Sequence, residues 1–167
     1  MTAPRIVLLG LGNPLMGDDG TGLALLGRLA EGGPWPPGTV LVDGGTWGMS
    51  LLPVIEEATH LVLLDAVRTG AAPGTVVVLG RDELPRALAH KLSPHQIDLK
   101  EVLALAELRG TLPAHAAAVG IEPERVDWGT ELSACVAARL DEAAEAVRRT
   151  LESWGASAVP AEAARGA

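Results

Sequence analysis

A chain of 167 residues, 48% of them apolar, with a net charge of −8 and a single cysteine, fits one domain able to bury its own core. The negative charge argues against nucleic-acid and anionic-membrane partners, which select basic patches. The lone Cys135 excludes an intrachain disulfide and a cysteine-rich zinc site, and points to a reducing compartment.

Met1–Arg5 lacks the basic stretch, apolar run and cleavage site of a signal peptide, and no apolar run reaches the ~20 residues of a membrane helix. A cytoplasmic location is expected. With no Phe and no Tyr, the core must be built from Leu, Val and Ala with four Trp. That texture suits helices packed on an aliphatic sheet.

Short apolar runs alternate with helical patterns, the rhythm of an α/β fold. Arg5–Leu9 reads as a buried strand followed by a glycine-rich turn, and Gly20–Ala30 as a helix with Leu23, Leu26 and Ala30 on one face. A Pro/Gly loop, Gly32–Gly38, leads to a second strand at Thr39–Asp43 and a helix over Met49–Glu57. His60–Asp65, Thr75–Leu79 and Ala116–Gly120 supply the third, fourth and fifth strands. Ser93-Pro94-His95-Gln96 is a capping box with proline at the first helical position, and Leu99, Val102, Leu103 and Ala106 continue one face of that helix. A long final helix is expected from Glu131 to Leu151, with Leu132, Val136, Leu140, Ala143, Val147 and Leu151 as its apolar stripe. Residues 1–154 make one domain in this reading, and 155–167 a mobile tail.

Three residues stand out as chemistry. The turn Gly10-Leu11-Gly12-Asn13-Pro14-Leu15-Met16-Gly17-Asp18-Asp19-Gly20 follows a strand, which invites a dinucleotide reading. Leu15 occupies the place of the third glycine, however, and the paired aspartates would repel a pyrophosphate. One aspartate, most naturally Asp18, is expected to cap the next helix, leaving Asp19 over. Asp65 ends a very apolar strand, at the edge where open α/β sheets bind ligands, although a strand-end aspartate can equally bond a neighbouring loop. His95 sits in a helical first turn, whose dipole favours the neutral imidazole a metal requires. Two carboxylates and an imidazole make a plausible site for nickel or zinc. His60, His90 and His115 have no comparable setting. Cys135 reads as a small core residue, and neither a Gly-x-Ser-x-Gly elbow nor an Asp-Thr/Ser-Gly triplet is present.

The order of these motifs resembles the hydrogenase maturation endopeptidases, which trim the C-terminal extension from the large subunit of nickel–iron hydrogenases. The resemblance runs through Gly10-Leu11-Gly12-Asn13 with Asp18-Asp19-Gly20, Asp43-Gly44-Gly45-Thr46, Leu64-Asp65-Ala66, Ser93-Pro94-His95-Gln96, Glu101–Ala106, Gly120-Ile121-Glu122-Pro123 and Trp128–Ser133. It covers Arg5 to Leu151, with Pro14 a departure from the usual pattern. It implies a three-layer α/β/α fold, with a twisted, mostly parallel, mixed five-stranded sheet of the phosphorylase/hydrolase-like kind. It carries the family's metal-binding and catalytic positions onto Asp19, Asp65 and His95, making this an aspartate-based protease. The nickel is supplied by the substrate rather than permanently bound. The partner is the immature large subunit, met by a monomer.

Two other readings compete. A nickel-binding assembly chaperone would use the same three ligands without cutting. Peptidyl-tRNA hydrolases also open with Gly-Leu-Gly-Asn-Pro, but continue with a glycine, a tyrosine and an Arg-His-Asn stretch. Here Leu15-Met16-Gly17-Asp18-Asp19 follows, in an acidic chain without tyrosine.

Overall fold

The computed structural model describes residues 2–84 and 99–158. Five strands form one sheet in the order β2-β1-β3-β5-β4. They are β1 (Ile6–Leu11), β2 (Thr39–Gly45), β3 (His60–Ala66), β4 (Val76–Gly80) and β5 (His115–Ile121). The first three and β5 run parallel, whereas β4 pairs antiparallel with β5. The α/β class and the mostly parallel sheet are as expected.

The central strands are continuous apolar runs because both of their faces are covered. On one face Val7, Leu9 and Leu11 of β1 meet Leu61 and Leu63 of β3 and Ala116 and Ala118 of β5. Ile55 of α2 (Leu52–Glu57) and Val102 and Ala106 of α3 (Leu99–Leu108) close over them. On the other face Ile6, Leu8, Val62, Leu64, Val119 and Ile121 pack against α1 (Thr21–Glu31) and α5 (Leu140–Ser153). These are the three layers. The stripe Leu99, Val102, Leu103 and Ala106 is buried as its periodicity requires.

Helix α1 departs from its expected face. Its buried residues are Thr21, Gly22, Leu25 and Leu29, and Ala30 is exposed. The cause is Gly22: a β-carbon there would lie 2.2 Å from the Leu64 carbonyl oxygen and 2.3 Å from that of Leu11. With Gly22 held against the sheet, Leu25, Leu26 and Leu29 follow it inward at helical spacing.

The final helix is also different. A short α4 (Ala134–Ala137) is separated from α5 at Ala138 and Arg139, the latter at φ −108° and ψ 1°. Ser133 precedes α4 in extended conformation because Asp18 holds it, so the helix begins later than Glu131. The apolar stripe survives the break: Val136, Ala143, Val147 and Leu151 are buried, with Leu132 and Leu140 packed against them. Gly155, at φ +77°, ends α5, and the Gly155 and Ala156 N–H groups donate to the Glu152 and Leu151 carbonyls in a Schellman pattern. Packed structure therefore reaches Ala156, and residues 159–167 of the expected tail lie outside the described residues. Among the described residues no helix is long and apolar enough to cross a membrane.

Candidate active site

Strand β1 lies between β2 and β3, so the chain leaves it to one side through α1 and later returns to the other. Such a reversal opens a crevice at the carboxyl ends of the two strands beneath it. Asp19 follows β1 and Asp65 is the penultimate residue of β3, whose Leu64 pairs with Gly10. Both carboxylates therefore sit at the edge of the crevice.

Close backbone approach builds this edge. Gly12 has φ +109°, and a β-carbon there would meet the Asp19 carbonyl oxygen at 2.0 Å and its carboxyl carbon at 3.7 Å. The Gly12 N–H donates to the Gly45 carbonyl, tying the turn to the end of β2. Asp43-Gly44-Gly45-Thr46 thus lies against the turn that leads to Asp19. The second glycine of the dinucleotide-like string serves these contacts, with the Asp19 carboxylate beside it, whereas the first, Gly10, lies against Gly22 and Leu26 of α1.

Asp19 occupies a short 3-10 turn, Gly17–Gly20, and is partly exposed. Its Oδ2 accepts the Asn13 N–H at 2.9 Å. Asn13 Oδ1 accepts the Leu15 N–H at 3.0 Å, so the loop is braced on both sides of Pro14. Asp65 is buried, with 3% of its surface exposed, and its Oδ1 accepts the Ala66 N–H at 2.8 Å. His95, the expected third member, lies outside the described residues. Among the described residues no three His, Cys, Asp or Glu side chains gather as a metal-holding group.

Asp18 is not a helix cap, since no side chain caps the turn or α1. It is fully buried, and its carboxylate reaches across to the segment after β5. Oδ2 accepts the Glu124 and Arg125 N–H groups, both at 2.9 Å, and the Ser133 hydroxyl at 2.8 Å. Oδ1 accepts the Ser133 N–H at 2.7 Å. Burial pushes the Asp18 pKa up more than any other single influence. The Arg125, Ser133 and Glu124 donors together outweigh it and hold the group below the ordinary carboxylate value. The same segment is laced to the Asp19 turn by Gly17 N–H to Gly129 O at 2.8 Å and Gly129 N–H to Leu15 O at 3.0 Å.

Four other polar side chains make contacts of their own. Buried Glu122 accepts the Thr69 N–H at 2.7 Å and hydroxyl at 2.9 Å through Oε2. His60 and His115, given no setting by sequence, stack with ring centroids 4.6 Å apart beside Trp154. They start β3 and β5, at the sheet end opposite Asp65. Cys135 is a partly buried free thiol packed against the core.

Comparison with known proteins agrees with this fold. Residues 24–150 match the family model of the hydrogenase maturation protease. The hydrogenase expression/formation protein HupD of Rhodobacter capsulatus is 42% identical over 154 residues, which span 90% of this chain and 73% of that protein. The hydrogenase 2 maturation protease of Escherichia coli K12 is 35% identical over 160 residues, covering 95% of this chain and 98% of its own. The structure of the hydrogenase maturating endopeptidase HybD from E. coli superposes with a TM-score of 0.86 at 34% identity, over 95% of this chain and 98% of that one. With this sheet, this match over most of its length and these relatives, the chain belongs to the hydrogenase maturation protease family.

Proposed function

We propose that this peptidase removes a C-terminal extension from the immature large subunit of a nickel–iron hydrogenase after nickel has been inserted. Asp19, Asp65 and His95 recognise the nickel carried by the substrate. The observation behind this reading is the pair of carboxylates at the crevice, one partly exposed and one buried. An incoming chain meets Asp19 first, and its Oδ2 is already oriented by the Asn13 N–H. Carboxylate ligands suit a divalent metal, and so metal insertion becomes the condition for binding in register.

Hydrolysis needs a water positioned at the scissile carbonyl and a base to take its proton. A carboxylate of the crevice serves as that base, and the proton then passes to the leaving amide nitrogen. Protein and substrate together supply the reacting groups, with the substrate's nickel available to polarise the carbonyl.

Intact mass of a purified immature large subunit, measured after incubation with the protein, tests the reading. The nickel-loaded and nickel-free precursors are run side by side. Loss of a C-terminal peptide from the nickel-loaded form alone is the expected result. An uncut, correctly matched and nickel-loaded precursor would replace the peptidase step with a chaperone role. Normal processing by Asp19→Ala, Asp65→Ala and His95→Ala variants would remove the site assignment.

A further inference from the structure

The mouth of the crevice carries apolar surface that folding leaves uncovered. Trp128 is 82% exposed, Trp47 67% and Leu15 52%. Backbone bonds fix all three around Asp19. Leu15 lies on the Asp19 turn, and its carbonyl accepts the Gly129 N–H next to Trp128. Trp47 follows Gly45, which accepts the Gly12 N–H, and a β-carbon at Gly45 would lie 3.7 Å from the Trp47 ring. Trp128 is carried on the segment that Asp18 fastens at Glu124, Arg125 and Ser133. A rigid backbone holding large apolar rings in water has already met the ordering cost of binding. Tryptophan in such a setting is a frequent energetic anchor.

Among the described residues of these segments, acidic side chains outnumber basic ones. Asp43, Glu124 and Glu131 are exposed beside partly exposed Asp19. Against them stand Arg68 and Arg125, and Arg125 is paired with Asp127 at 3.1 Å. We propose that Leu15, Trp47 and Trp128 are the docking surface for the substrate segment adjoining the scissile bond, a stretch of polypeptide with apolar side chains next to Lys or Arg. This rests on the peptidase reading above and names what that crevice grips. Apolar anchors fix the peptide across the mouth, and the acidic rim selects its basic neighbours.

The test uses the full chain labelled with 5-fluorotryptophan, and purified nickel-loaded large-subunit precursor as probe. The Trp47 and Trp128 fluorine resonances are expected to shift on binding, and those of Trp35 and Trp154 to stay. Trp128→Ala and Leu15→Ala are expected to raise KM about tenfold, with a smaller loss in kcat, a tenfold change being the scale of one anchor. Leu108→Ala, which removes a side chain 85% exposed on α3, serves as control and should leave KM alone. Raised ionic strength should weaken binding further.

If the wild type cuts the precursor and these variants keep its KM, the surface proposal falls and the peptidase reading stands. If the precursor is bound with the Trp128 shift but never cut, the peptidase reading falls, and with it the assignment of this surface to a scissile segment, leaving only a precursor contact. Absence of binding, or a dimer that Trp128→Ala dissociates, overturns the docking surface.

Discussion

Ser133 donates its N–H to one oxygen of the Asp18 carboxylate and its hydroxyl to the other, at 2.7 and 2.8 Å. This fork joins the turn after the first strand to the start of the last helical region. The adjacent Asp19 takes no part in it, so two consecutive aspartates have separate duties and separable mutant phenotypes.

Asp18→Asn puts an amide N–H where only donors approach. A loss of about 2–4 kcal/mol in unfolding free energy is expected, the scale of breaking a buried charge-assisted network. Asp19→Asn keeps an acceptor for the Asn13 N–H at a partly exposed position, so stability should change by less than ~0.5 kcal/mol. Precursor cleavage should fall by ~100-fold or more as a general base or metal ligand is lost. Urea denaturation of both variants, with a cleavage assay, checks the contrast.

The depressed Asp18 pKa also fixes a direction with pH. A carboxyl with a folded pKa below its unfolded value stabilises the fold above the unfolded value of about 3.9, and that contribution is lost as pH falls through the folded value. Unfolding free energy should therefore drop below about pH 4. Asp18→Asn should abolish that part of the drop, as denaturation curves across acid pH would read.

His60 acts at the other end of the sheet and at higher pH. Burial first, and the charge of His115 second, lower its pKa. Protonation then favours the unfolded chain, so stability is full above about pH 6.5 and declines as pH falls from there toward the folded value. His60→Gln should flatten the slope, measured by thermal unfolding between about pH 7 and 5.

Gly22→Ala would drive a methyl group into the Leu64 and Leu11 carbonyls. These are backbone atoms of two central strands, so neither can move cheaply. A cost of ~3 kcal/mol or more is expected, a large share of ordinary domain stability. Gly155→Ala, by contrast, only forces alanine to φ +77° at an open position, for about 1 kcal/mol. Chemical denaturation of both separates a packing clash from a backbone penalty.

Much of this architecture is legible residue by residue. The apolar runs at β1, β3 and β5 announce strands covered on both faces, and the α3 stripe is buried as its spacing demands. The antiparallel β4 does not show in its own residues. Its signal is the connection 67–75, too short for a crossover helix, which forces the chain back in the opposite direction. The α1 face was hidden because apolar counting favours leucines, whereas the glycine beside them makes the closest approach. The break before α5 involves Ala138 and Arg139, both competent in helices, so nothing local marks it. The Asp18 clamp was hidden for a different reason: its partners lie over a hundred positions away. Of the three candidate residues, Asp19 and Asp65 reach one edge through topology, as motif order and strand ends implied, and His95 lies outside the described residues.

That distance along the chain also sets the order of events during synthesis. Asp18 emerges from the ribosome early, and the groups that accommodate its charge emerge more than a hundred residues later. Until Ser133 has cleared the exit tunnel, the β1 turn carries a carboxylate that has no reason to leave water. The Asp19 turn then lacks its bonds to Arg125 and Gly129, and the tryptophan-bearing segment has no anchor. The clamp on the β1 turn therefore depends on residues made more than a hundred positions after Asp18.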